Sequence, residues 1–370
     1  MSERSGKKTT AASETVRPAF DSVGQAAAFF ALIVFTLLLP LLLAASGRIT
    51  RRSSYEIMPE NQGAFSFVKN EIFDNREPID LLFVGSSVTF GGIDTPRVEQ
   101  ALSEKIGRPA RVMTFGHYFN SLDIVYMQIR DLLERKKVRM IFLSIPRGTY
   151  PKGPSPIAYR FIRYNDAPEM FDVLPVQSKL SLYACSLLRA PRDVLTIVRP
   201  NGAKTSSPFA KNLGADKQDW GAGRDPRKFV RLTPPAPVFK SEKMIYSSEI
   251  SEQFFFTGEP IPNHQFLYFE KLVELLKREN VPFAIINIPQ YTERHSARVV
   301  ERNNWSAVFG TEIPLVAIPP ATLFAGLSGE EIDRMYYDDM HFNSNGNEYF
   351  TKAILPAVME VYEKKSAANR

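Results

Sequence analysis

The period of apolar and polar positions changes several times along this chain, and each change marks a boundary. Residues 26–45 read AAAFFALIVFTLLLPLLLAA, with no charge anywhere in the run. That matches the ~20 apolar residues a helix needs to cross a ~30 Å hydrocarbon core. A core helix rarely stays apolar on every face for so many turns. A cleavable signal peptide has a shorter apolar run of ~7–15 residues. The pattern therefore predicts one uncleaved membrane anchor over 26–46, a short tail 1–25 before it and a polar linker 47–74 after it. Pro40 is acceptable there, because membrane helices carry proline more readily than soluble ones.

From about residue 75 short apolar runs alternate with helical stripes. Residues 79–84 (IDLLFV), 111–115 (RVMTF), 138–145 (VRMIFLSI) and 281–288 (VPFAIINI) read as strands, and 315–318 as a fifth. Continuous apolar runs of this length suit strands buried on both faces. Between them lie helical patterns: 96–105 opened by Pro96, 121–136, 264–279, 292–308, and 345–364 near the end. In 264–279 the stripe is Phe266, Phe269, Leu272, Val273 and Leu276. Strands alternating with helices predict an α/β domain over 75–370 with a parallel sheet. The alternation lapses between about 146 and 262, a Pro-, Gly- and Ser-rich insertion whose clearest periodic piece is 179–188.

Composition sharpens two points. The 370 residues carry a net charge of +6, too small an excess to argue for nucleic acid. Residues 199–243 hold ten basic and four acidic side chains, so this one segment equals the excess of the whole chain. Such a stretch is either a solvated loop or a surface for anionic lipid or polymer. The single cysteine, Cys185, excludes an internal disulfide and a Cys-rich zinc site. Four basic residues precede the span (Arg4, Lys7, Lys8, Arg17) and three follow it (Arg48, Arg51, Arg52). Four against three barely decides the orientation by charge, and the expectation is a cytoplasmic tail with the large domain outside.

Two constellations carry candidate chemistry. Gly85-Ser86-Ser87-Val88-Thr89 directly follows the first strand, where open α/β sheets place their ligands. Tyr337-Asp338-Asp339-Met340-His341 lies just ahead of the last helix. A serine nucleophile needs a base, and the base needs an acceptor that fixes its tautomer. An aspartate three residues before a histidine can supply both. Glu330 with Asp338 and Asp339 does not make a metal site, since one nearby histidine is too few ligands. His264 and His295 read as surface residues at helix ends, and His117 as a loop histidine.

Taken together, these two ends resemble the SGNH (GDSL-type) hydrolase superfamily. Gly85 and Ser87 match its nucleophile block, Asp338 and His341 its Asp-x-x-His block, and Gly346 continues the H-x-x-x-x-G pattern. Gly116 stands where the family has its oxyanion glycine. The resemblance implies a three-layer α/β/α, flavodoxin-like sheet, a Ser87–His341–Asp338 triad, and an oxyanion hole from the Ser87 and Gly116 N–H groups. Asp338 is preferred over Asp339 on that spacing. No cofactor and no metal are expected.

One block departs from the family. After the third strand stands Ser144-Ile145-Pro146-Arg147-Gly148, where the family has Gly-x-Asn with an oxyanion-donating asparagine. Losing one such donor can cost ~10²–10³ in rate. Ser86, Asn120 and Arg147 are the candidates for lining the pocket or replacing the donor. An anchor joined to a diverged SGNH domain is similar to cell-envelope acyl-transfer proteins. Those include alginate and peptidoglycan O-acetyltransferase components and the D-alanyl-lipoteichoic-acid transfer protein. This implies an acetyl transferase or esterase at the periplasmic face of the inner membrane, with a polysaccharide acceptor and a membrane-bound O-acyltransferase as partner. A non-catalytic scaffold or glycan-binding partner is the alternative.

Overall fold

Strand β1 (Leu81–Ser86) forms within the first apolar run, and its first five residues are buried. Successive side chains of a strand point to opposite faces, and here both faces are covered. Leu82 and Val84 enter one apolar cluster, Leu81 and Phe83 another. In the computed structural model the described residues are 19–47, 50–56, 58, 65–117, 121–145, 174–198, 254–258, 261, 263–301, 303–336 and 338–367.

The remaining strands are β2 (Val112–His117), β3 (Ile141–Leu143), β4 (Phe254–Phe256), β5 (Phe283–Ile286), β6 (Val299–Glu301) and β7 (Leu315–Val316). Five of the seven described strands make one sheet in the order β2-β1-β3-β5-β7, parallel throughout. The chain steps one way from β1 to β2 and the other way from β3 onward. The change of direction falls at the carboxyl ends of β1 and β3, the place where open parallel α/β sheets bind ligands. β4 and β6 form a separate parallel pair.

Twelve α-helices accompany the strands among the described residues. The first three are α1 (Val23–Ala45), α2 (Arg51–Glu56) and α3 (Phe65–Lys69). Next come α4 (Ser87–Gly92), α5 (Thr95–Ile106), α6 (Leu122–Leu133) and α7 (Val176–Val198). Then follow α8 (Asn263–Arg278), α9 (Trp305–Phe309), α10 (Pro320–Leu323), α11 (Gly329–Asp333) and α12 (Ser344–Ala367). Helices α6 and α8 supply one apolar cluster, with Leu132, Phe269 and Leu272. Helices α5 and α12 supply the other, with Leu102, Phe350 and Val358. α5 has the local signals for its ends: Asp94 accepts from the Arg97 N–H, Pro96 follows, and Gly107 closes the helix at φ 69°.

α1 is long and apolar enough to cross a membrane. Its large side chains are exposed along its length, Leu32 at 61%, which no core helix would show. Described residues within the stretch 47–74, expected as a linker, instead feed the core: Tyr55, Phe65, Val68 and Ile72 are all buried. The Tyr55 hydroxyl donates to Asp131 (3.0 Å), and Arg51 reaches Glu134 (2.6 Å). The stripe at 55, 65, 68 and 72 is spread over separate short turns, so no single periodic window shows it.

Two further expectations are corrected. The helix foreseen over 292–308 is three pieces: a 3₁₀ turn at Tyr291–Glu293, strand β6 and α9. Residues 292–298 have no apolar stripe, while Val299 finds a buried place beside β4. Within the insertion, 179–188 is the middle of the 23-residue helix α7, and β4 adds a strand. The basic segment 199–243 lies outside the described residues.

Candidate active site

Ser87 begins α4 directly after β1, so the strand's end and the helix's start fix its backbone. Ser86 is the N-cap, its hydroxyl accepting from the Val88 N–H (3.3 Å). Glycine at 85 is dictated by space. A Cβ there would press on Thr89 and stand 2.9 Å from the Ser144 Cβ. Gly116 pairs with Gly85 in the β1–β2 register. A Cβ on Gly116 would stand 2.8 Å from the Phe90 Cβ and 2.9 Å from the Ser86 carbonyl oxygen. Both glycines let neighbouring elements close in beneath Ser87.

The second half of the site is a loop between α11 and α12. Tyr336 and Phe342 form an antiparallel bridge that shuts its base, with their rings 4.5 Å apart. The Tyr336 hydroxyl donates to the Pro289 carbonyl (3.1 Å), and the Tyr291 N–H donates to the Asp339 carbonyl (3.0 Å). Asn343 ties the loop to the helix. Its amide donates to the Arg334 carbonyl (2.7 Å), and its oxygen accepts from the Asn345 N–H (2.9 Å). Gly346 must be glycine, since a Cβ would run into the Met335 carbonyl and the Phe342 ring.

Inside this loop Asp338 folds back on itself. Its Oδ1 accepts from the N–H groups of Met340 (2.9 Å) and His341 (2.8 Å), a turn that aspartate makes readily. Both carboxylate oxygens lie 2.8 Å from His341 Nδ1. His341 Nε2 lies 2.7 Å from Ser87 Oγ, across 254 residues of sequence. Ser87, His341 and Asp338 are therefore linked by successive contacts within hydrogen-bond reach, the arrangement a serine nucleophile would need. Burial works against the Asp338 charge, but the bonds from His341 and from the Met340 N–H outweigh it and hold the carboxyl at about 2. The His341 side chain is 11% exposed and Asp338 33%, so the acid keeps some contact with water while the base is covered.

The remaining expected residues separate into three groups. Ser86 and Gly116 sit at the base of the site. Asn120 and Arg147 lie outside the described residues. Asp339 takes part through its backbone carbonyl, which accepts from the Tyr291 N–H, and Glu330 pairs with Arg334. His264, expected at the surface, is buried, its Nε2 3.0 Å from the Gln265 amide nitrogen. It belongs to a polar cluster the sequence did not reveal. Asp123 is fully buried beside Ser121, which donates to it, and burial pushes its carboxyl up against those bonds and the nearby His264. Gln265 accepts from the Leu122 N–H (2.9 Å). An Asp in the first turn of a predicted helix was the one available signal, and it reads equally as a helix-dipole partner. Across known proteins, no family model matches the chain, and no curated protein does.

Proposed function

We propose that this chain is a membrane-anchored SGNH-type acyltransferase or esterase with a three-layer α/β/α domain on the extracytoplasmic side. The observation that carries the reading is the unbroken line from Ser87 Oγ through His341 to Asp338. His341 Nε2 takes the Ser87 proton as Oγ attacks an acyl ester or thioester. Asp338 holds the proton on Nδ1 and steadies the imidazolium that forms. The oxyanion is met by the Ser87 N–H, which opens α4 and so has no partner within the helix, and by the Gly116 N–H. His341 then returns the proton to the leaving group. A sugar hydroxyl, or water, resolves the acyl-enzyme by the same path in reverse. Acetyl is the proposed group and a cell-envelope polysaccharide the acceptor. A single span has no channel for an activated acyl group, so a membrane-bound O-acyltransferase is the proposed donor partner.

A fluorophosphonate probe is expected to label the full-length protein and to leave Ser87→Ala unlabelled. Turnover of a small acetyl ester should vanish in both Ser87→Ala and His341→Ala. Equal labelling of wild type and Ser87→Ala would overturn the mechanism. One observation favours a second reading, a glycan-holding scaffold: Ser144, not a glycine leading to asparagine, follows β3. A folded wild type that binds polymer yet neither reacts with the probe nor turns over ester would establish the scaffold instead.

A further inference from the structure

α7 runs for 23 residues, about 34 Å at 1.5 Å per residue, and its faces differ sharply. Leu182, Ser186 and Ala190, spaced by four, are buried, and Leu182 joins the core cluster around α6 and α8. The outward face is Val176, Leu180, Ala184, Leu188, Pro191 and Leu195, all exposed, and among the described side chains of that face the polar ones are Gln177 and Ser181. Lys179 and Arg189, the charged side chains of α7 that are described, are half-buried and lie off that face.

Water does not suit this surface. Among the described residues eight large apolar side chains outside α1 are exposed, and four of them are on α7: Val176, Leu180, Leu188 and Leu195. Concentrated apolar exposure of this kind marks a surface that something else covers. The cover is indicated by the neighbour. α7 packs along α1, and the Tyr183 hydroxyl donates to the Leu37 carbonyl. Leu37 lies eight residues before the end of α1 at Ala45, about 12 Å along the axis. Pro40 lies within this same turn and denies the Thr36 carbonyl its helical donor. A tyrosine at hydrocarbon depth needs such a protein acceptor, since water is absent there.

We propose that α7 is a second membrane-embedded element, lodged beside α1 with Val176, Leu180, Leu188 and Leu195 against lipid acyl chains. The domain would then sit on the bilayer through two contacts, with less freedom to tilt than a single anchor gives. This rests on α1 being a membrane span and is independent of the serine chemistry.

The test uses the full chain in vesicles of phosphatidylethanolamine and phosphatidylglycerol, in a Cys185→Ser background. Leu180→Cys, Leu188→Cys and Leu195→Cys are each spin-labelled and probed with oxygen and a water-soluble nickel chelate. Val34→Cys on α1 and Glu279→Cys on the domain surface serve as references. The three α7 labels should follow position 34, meeting the chelate roughly tenfold less often than position 279, because a polar chelate partitions poorly into hydrocarbon. Labels on α7 that follow position 279 while 34 stays protected would place α7 in water and overturn the proposal. Labels shut off from both probes would mark a protein interface and overturn it as well. Chelate access at position 34 itself would remove the span, and the α7 proposal with it, while leaving the triad untouched.

Discussion

Asp338 combines structure and chemistry in one side chain. In the proposed mechanism its carboxylate orients His341, so Asp338→Asn should lower ester turnover by about 10⁴-fold through the wrong imidazole tautomer. A loss below about tenfold would show that Asp338 is not the orienting acid. The same residue sets a pH dependence. Its folded pKa of about 2 lies below the ordinary 3.8. The stability it contributes is therefore fully present above about pH 4, and is lost as pH falls from there towards about 2. Asparagine does not ionise, so the gap in melting temperature between wild type and Asp338→Asn should narrow across that window. Thermal melts over an acid pH series measure it, and a gap that stays constant would contradict the assignment.

The site depends on elements meeting closely, and Gly116 shows how closely. A methyl group at 116 would stand 2.8 Å from the Phe90 Cβ and 3.0 Å from the Phe90 nitrogen. Either β2 or the base of α4 must shift, at about 1–3 kcal/mol for forced overpacking. Since α4 carries Ser87, Gly116→Ala should lower both stability and turnover per folded molecule. Gly107→Ala is the matched control. At φ 69° with open space around it, it should cost about 1 kcal/mol through backbone strain alone and leave turnover unchanged. Denaturant melts paired with ester assays on both variants separate the two effects. Equal turnover in the two would mean that β2 and α4 are not mechanically linked to Ser87.

At the scale of the whole molecule, charge and membrane contact are separate matters from the triad. Arg224, Arg227, Lys228 and Arg231 changed together to Gln should weaken binding to anionic vesicles or anionic polymer at low salt, and the difference should fade as salt rises. Exposed charges are screened over ~8 Å at physiological ionic strength. Turnover of a small neutral ester should not move. Identical binding by the two proteins at low ionic strength would leave this segment as a solvated loop.

The five sheet strands were legible because each is buried on both faces, and only a run such as LLFV meets that demand. Ser87 and His341 were legible as a serine after a strand and a histidine after an Asx-prone aspartate, and it was the family resemblance that paired them. The sequence by itself thus determined the apolar span, the strand–helix alternation, and the local turn in which Asp338 and His341 meet three residues apart. The tertiary structure alone decided the rest. The 2.7 Å contact between Ser87 and His341 depends on sheet order, because residues that far apart meet only through the fold. The helix expected over 292–308 gave way to β6 because Val299 and Val300 take their partners from β4, a pairing no local window contains. Burial of His264 and Asp123, and of Tyr55 in the supposed linker, likewise depends on which helices pack together. Local period records what a segment needs to bury, and only the assembled chain decides against what.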